Sequence, residues 1–226
     1  MTGREESVIE RFRKQLRQAC ERAGKVDMNA PTNGADRYVN ADEFFGVGEH
    51  FFLVEFKSSK GSLKTEARKS SACKLCGRLN ESTDARELHD AGHFASWGNK
   101  TYNGPLRTSI GVYRKLVCRS DVLTTCEHTT STPGEWDAVS GDDFLENLER
   151  ADIGLDAERF KVYLRWLLES PPDSGSPPEF PLVLFGYTYS KGVLDQEFSS
   201  YADFSNWAAE AVKYSATISG AKKNRP

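Results

Sequence analysis

Glu55 and Lys57 are the residues whose types and spacing point most directly to chemistry. They close the run Phe51-Phe52-Leu53-Val54-Glu55-Phe56-Lys57. Its aromatic and branched residues predict a buried strand. Side chains alternate along a strand, so Glu55 and Lys57 share one face and Phe56 takes the other. Burying a charge is costly unless it is paired or holds a metal. The pair is therefore either a salt-bridged strand end or an active site. Metal-dependent cleavage of a phosphodiester needs carboxylate oxygens to hold Mg²⁺ or Mn²⁺. It also needs a cation near the attacking water or the scissile phosphate. Glu55 and Lys57 supply half of that set. Asp42 lies thirteen residues before Glu55, with Gly46-Val47-Gly48-Glu49 between them. A hairpin folds Asp42 back to within about one or two residue pairs of Glu55. Asp36 and Glu43 compete with it for the role of first acid.

A second constellation is Cys73-Lys74-Leu75-Cys76 followed by His89 and His93, with spacing C-x2-C-x12-H-x3-H. Thiolates and imidazoles at that spacing suit tetrahedral Zn²⁺. Asn80 and Arg86, however, occupy the places where a free-standing finger carries its apolar core. The remaining readings are a structural zinc site within a larger domain, drawing on Cys118, Cys126 or His128, or small buried cysteines on a helix. The chain has no Gly-x-Ser-x-Gly motif and no phosphate-cradling glycine loop.

The elements that would position these residues are predicted from periodicity. Residues 5–21 form an amphipathic helix, with Val8, Phe12 and Leu16 on one face. Residues 27–35 are a loop. Strands cover 37–39, 43–45 and 50–56, the last two joined by a tight turn. Leu63 to Leu79 forms a basic helix, and Ala85 to Trp97 a helix running into a strand. Residues 100–108 are a loop. Residues 110–117 and 122–126 are strands, 142–151 and 156–169 helices, 170–178 a linker, 181–189 a strand and 201–212 a helix. No repeat or composition break divides the chain, so one mixed α/β domain spans residues 1–226.

Bulk composition narrows the class. The 226 residues include 38% hydrophobic side chains and 13 Phe, enough to build a core. No apolar run reaches membrane-span length, and the N-terminus lacks a secretory centre, so a cytoplasmic protein is expected. Five cysteines, an odd number, fit a reducing compartment. The net charge of −3 argues against a uniformly basic nucleic-acid binder. Yet residues 57–78 hold seven Lys and Arg against Glu66 alone, whereas residues 135–158 are acidic. The basic run follows the Glu-Phe-Lys strand directly.

Taken together, these features resemble the PD-(D/E)XK nuclease superfamily. Ala41-Asp42 looks like its first acidic motif, with Ala in place of the usual Pro. Leu53-Val54-Glu55-Phe56-Lys57 looks like the second. The likeness covers about residues 5–80, and residues 136–218 would be a C-terminal extension. It implies a restriction-endonuclease-like mixed sheet flanked by helices, with further C-terminal helices and a strand. It implies Asp42 and Glu55 as ligands of Mg²⁺ or Mn²⁺, Lys57 as the catalytic cation, and Glu10 as an auxiliary acid. Lys60, Lys64, Arg68 and Lys69 would contact nucleic acid. The expected function is a metal-dependent DNA nuclease, controlled by a partner protein as in anti-phage defence complexes. The alternatives are a non-catalytic interaction subunit that keeps the fold, and a zinc-stabilised nucleic-acid-binding module.

Overall fold

In a computed structural model of the chain, residues 3–25, 27–32, 39–99, 106–130, 135–149, 153–168, 182–188 and 192–198 are described. Asp36, residues 37 and 38 of the expected strand 37–39, the linker 170–178 and the helix 201–212 lie outside them, and Val39 is not in a strand. The chain is a mixed α/β protein. The elements run α1 (Gly3–Ala23), β1 (Asp27–Pro31), β2 (Glu43–Val47), β3 (His50–Lys57), a 3-10 segment (Lys60–Arg68), α2 (Ser70–Glu81), α3 (Thr83–Gly92) and β4 (His93–Asn99). Then come β5 (Arg107–Val112), α4 (Tyr113–Val117), β6 (Val139–Ser140), α5 (Gly141–Glu149), α6 (Ala157–Leu168), β7 (Leu182–Thr188) and β8 (Gly192–Phe198).

One sheet has the order β6-β5-β4-β3-β2-β1-β7-β8. Strands β1, β2 and β3 run antiparallel, and β4 lies parallel to β3. A parallel neighbour needs a crossover, and the 3-10 segment with α2 and α3 provides it. β2 and β3 are joined by Gly48-Glu49, with Val47 opposite His50. Gly48 has φ +58, which a type II′ turn requires at its first central position.

The alternation of β3 divides the core. Phe52, Val54 and Phe56 pack with Val8, Phe12, Leu16, Phe94 and Phe144 beneath α1 and α5. Phe51 and Leu53 pack with Leu75, Leu79, Phe160 and Tyr163 beneath α2 and α6. Sheet residues thus sit between two helical layers. Phe12 is fully buried, with ring centroids 5.2 Å from Phe45 and 5.5 Å from Phe56. Phe12→Ala is expected to cost about 3–5 kcal/mol, the range for truncating a buried aromatic. Denaturant unfolding would show it as a lower midpoint at unchanged slope. A loss under about 1 kcal/mol would mean that α1 is not seated as described.

Several expectations are corrected. Residues 27–31 form β1 rather than a loop, held by β2 on one edge and β7 on the other. The basic helix from Leu63 is a 3-10 segment followed by a separate α-helix. Residues 113–117 are helical and 122–126 form turns, not strands. Four of the five cysteines are joined as Cys73–Cys126 and Cys76–Cys118, where free thiols were expected, and Cys20 alone is free. Among the described residues no helix is long and apolar enough to cross a membrane.

Candidate functional site

Strand β3 carries Glu55 and Lys57 toward α2, on the face opposite Phe56, as alternation requires. Both are buried. Asp42 precedes β2, where the hairpin ladder ends: its N–H donates to Val54 O at 3.0 Å. The next β3 amide has no ladder partner. Asp42 Oδ2 takes it instead, accepting from Phe56 N–H at 2.6 Å. The carboxylate is thereby held beside the backbone that joins Glu55 to Lys57. Glu43, one residue on, points to the other face and pairs with Arg13 of α1, whose Nε donates to Oε2 at 3.1 Å. Glu10 also pairs with Arg13. Neither belongs to the cluster. The acid on α1 that acts on Asp42 is Glu5, whose charge helps raise the Asp42 pKa.

Two residues that sequence reasoning missed or misassigned complete the cluster. The 3-10 segment repeats every three residues, so Leu63 and Glu66 face inward, with Lys69 on the same side just beyond. Glu66 is fully buried. Lys57 Nζ pairs with Glu55 Oε1 and lies 3.0 Å from Glu66 Oε1. Lys69 Nζ lies 2.6 Å from Glu55 Oε1 and 3.0 Å from Glu66 Oε1. Lys69, expected at a nucleic-acid surface, is thus a cluster member. The Tyr113 hydroxyl donates to Glu66 Oε2 at 2.9 Å. The spacing Leu63-x2-Glu66-x2-Lys69 was the available signal, but a helix of 3.6 residues per turn hides it. Asp42 and Lys69 remain partly exposed and form the mouth of the cluster. Lys60, Lys64 and Arg68 are exposed along the 3-10 segment beside it, with Lys60 Nζ 4.3 Å above the Trp136 ring.

The electrostatics follow from three acids and two lysines in a cluster whose floor, Glu55, Lys57 and Glu66, is buried. With all five ionised the cluster carries one excess negative charge. Burial, reinforced by Asp42 and Glu66, pushes Glu55 up to about 8. Burial also raises Asp42, although Lys57 and the Phe56 amide oppose it. Burial acts in the same sense on Glu66, but Lys57 and Lys69 outweigh it and hold Glu66 down to about 2. Burial disfavours the Lys57 charge, and Glu55, Glu66 and Asp42 more than restore it.

The fit to a divalent cation is mixed. Among the described residues no group of three or more His, Cys, Asp or Glu side chains is set to hold a metal as it stands. The two ammonium groups occupy the space between the carboxylates. Yet Glu55 Oε2 and Glu66 Oε1 are both buried without a well-formed hydrogen bond, a state that buried polar atoms rarely keep. Asp42 and Glu55 offer hard oxygen donors, the chemistry that Mg²⁺ and Mn²⁺ take.

The proposed zinc set does not assemble. Cys73 and Cys76 bond to Cys126 and Cys118. His89 and His93 spend all four ring nitrogens in a directional chain. The Arg114 amide donates to His89 Nε2 at 3.1 Å, so the His89 proton sits on Nδ1, which donates to Tyr163 Oη at 2.6 Å. Tyr163 then donates to His93 Nδ1 at 2.7 Å, and His93 Nε2–H donates to Asn40 O at 3.0 Å. Burial keeps both rings neutral, with His93 lowered to about 4 and His89 well below its usual value. The chain ends on Asn40, whose φ of +52 is a left-handed conformation that asparagine tolerates. Ser71 Oγ also donates to Asn40 Oδ1 at 2.7 Å. Asn40 is two residues before Asp42, so this network sets the path of the chain into the site.

Comparison with protein-family models, with curated proteins and with solved structures found no match.

Proposed function

We propose that the protein is a metal-dependent nuclease that hydrolyses phosphodiester bonds of DNA, on a restriction-endonuclease-like core. The observation that carries this reading is the Asp42–Glu55–Lys57 arrangement, with Glu55 and Lys57 buried and Asp42 at the mouth, in which Glu55 Oε2 makes no hydrogen bond. The likeness in order of helix, antiparallel strands, Glu-x-Lys strand, helices and parallel strand supports it. Asp42 and Glu55 would hold Mg²⁺ or Mn²⁺, which supplies Lewis-acid stabilisation of the phosphate charge. Lys57 holds its proton at Nζ and stabilises negative charge developing beside Glu55. Lys69 does the same from the mouth of the site. Glu66, fixed by the Tyr113 hydroxyl, keeps both ammonium groups in place. Exposed Lys60, Lys64 and Arg68 would contact the phosphate backbone without reading sequence. The protein would act in the cytoplasm as the effector of an anti-phage complex, restrained by a partner.

Supercoiled plasmid with Mg²⁺ or Mn²⁺ tests this. The wild type is expected to nick or linearise it, and Glu55→Ala to lose at least about a hundredfold in rate. Equal rates, or equal inactivity with no Glu55-dependent metal binding by calorimetry, would overturn the assignment.

A second reading has its own observation. Lys57 and Lys69 already pair with Glu55 and Glu66, as in a purely structural ionic network. The protein would then be a non-catalytic interaction subunit, and the acidic stretch 135–158 a binding surface. Part of that stretch is used internally: Asp142 Oδ1 accepts from Gln15 at 2.7 Å, and Asp156 caps α6. The same calorimetry decides between the two readings.

A further inference from the structure

We propose that Cys73, Cys76, Cys118 and Cys126 form a tetrahedral Zn²⁺ site in the reduced chain, of which the two disulfides are the oxidised state. The inference rests on the nuclease reading in one respect. A protein that cleaves DNA inside a cell works where thiols are kept reduced.

The geometry converges four sulfurs on one patch. Cys73 and Cys76 stand three apart on α2, which places their Cβ atoms about 5–6 Å from each other on one face. Cys126 lies opposite Cys73 with Cα atoms 5.5 Å apart, and Cys118 opposite Cys76 at 5.6 Å. Both partners come from the same short stretch after α4. The two bridges are nested, with separations of 53 and 42 residues, and they tie the same two pieces of chain together. As a tether the second bridge closes a loop that the first has already closed. Four sulfurs are the number that one tetrahedral soft-metal site takes, here two from the C-x2-C pair on α2 and two from a second segment.

Cys76, Cys118 and Cys126 are buried, where isolated thiolates would be disfavoured and a bound cation would offset their charge. His128, two residues beyond Cys126, packs its ring against α2 at Gly77. A Cβ there would lie 2.8 Å from His128 Cδ2. Glycine is disfavoured inside a helix relative to alanine, so Gly77 marks a close approach beside Cys76. This donor set differs from the C-x2-C…His-x3-His pattern, whose histidines are committed to Tyr163 and Asn40.

The redox balance is simple. Reducing both disulfides takes four electrons and four protons, supplied by two equivalents of a phosphine with water. Zn²⁺ then displaces the four thiol protons and leaves a centre of charge −2. In the reverse direction, two equivalents of hydrogen peroxide accept the four sulfur electrons and four protons. They form four waters, and the two disulfides and Zn²⁺ are released.

The test is the full chain, expressed in a reducing cytosol and purified without air in phosphine. Elemental analysis is expected to give one zinc per chain, and denaturing mass spectrometry the mass of five free thiols, Cys20 included. Cys73→Ser and Cys118→Ser should each retain less than a tenth of an equivalent. To keep the test independent of how either variant folds, wild-type apoprotein is also titrated with Co²⁺. Thiolate-to-cobalt charge-transfer and tetrahedral ligand-field bands should saturate at one equivalent. Folded protein with all five thiols free that takes up neither zinc nor cobalt overturns the proposal, as do two disulfides that persist without air. Zinc content is read without DNA. A zinc-loaded protein that cleaves nothing counts against the nuclease reading alone, and a cleaving protein without zinc counts against this one alone.

Discussion

Lys57→Met is expected to lower plasmid cleavage by about 10²–10³-fold, the effect of removing one preorganised group that stabilises developing charge. Methionine keeps most of the buried stem and removes only the ammonium. Lys57 contacts Glu55 and Glu66 together, and Asp42 also acts on its charge. No other cation described in the chain stands in that position. Lys69 reaches the same two carboxylates but enters from the mouth, so it cannot replace the charge on the floor. The variant also leaves buried carboxylates with one cation fewer. Breaking a buried pair from one side costs about 3–5 kcal/mol, and the remaining Lys69 contacts place the expected loss at the lower end. Plasmid cleavage and denaturant unfolding read the two effects separately. A variant that cuts at the wild-type rate would remove Lys57 from the mechanism, whatever its stability.

Glu55→Gln should reverse its effect on stability between pH 5 and pH 8 in metal-free buffer. Burial, with Asp42 and Glu66 beside it, pushes Glu55 up to about 8 in the folded chain, against an ordinary value of 4.5. Between those values the folded state keeps a proton that the unfolded state has released. The unfolded state binds fewer protons there, so wild-type stability falls as pH rises through the window. Glutamine has no proton to lose and lacks that slope. Glu66, held near 2, contributes stability that is present above 4.5 and lost only as pH falls toward 2, outside the window. Lys57 is raised from an already high value, so its contribution is constant from pH 5 to pH 8. The variant is therefore expected to gain on the wild type steadily with pH and to exceed it by pH 8. Thermal or denaturant midpoints across that range check this. Parallel curves would show that Glu55 is ionised throughout.

The sequence disclosed the site unevenly, for physical reasons. Strand β3 was legible because its apolar run and same-face acid and base are local properties. Asp42 was legible, beside its competitors Asp36 and Glu43, because the short Gly46-Val47-Gly48-Glu49 connection folds that segment back toward Glu55. β1 was not, since Asp27-Met28-Asn29-Ala30-Pro31 has poor strand composition and is held by neighbours on both edges. Glu66 and Lys69 depended on a three-residue helical period that no apolar pattern announces. The histidines were visible as a pair, but their partner Tyr163 comes from an element seventy residues away. Cysteine pairing cannot be read from spacing alone.

The Tyr163 hydroxyl touches both His89 and His93, and His93 holds the backbone of Asn40. α6 therefore reaches the segment that delivers Asp42, through one hydroxyl and one imidazole. Leu155, just ahead of α6, also exchanges two backbone hydrogen bonds with Phe51 at the start of β3. The later part of the chain is thus no detachable appendage to a minimal motif in residues 5–80. Recombination or domain grafting that moved the Glu-x-Lys hairpin without residues 89–163 would carry the acids and leave behind what fixes their spacing.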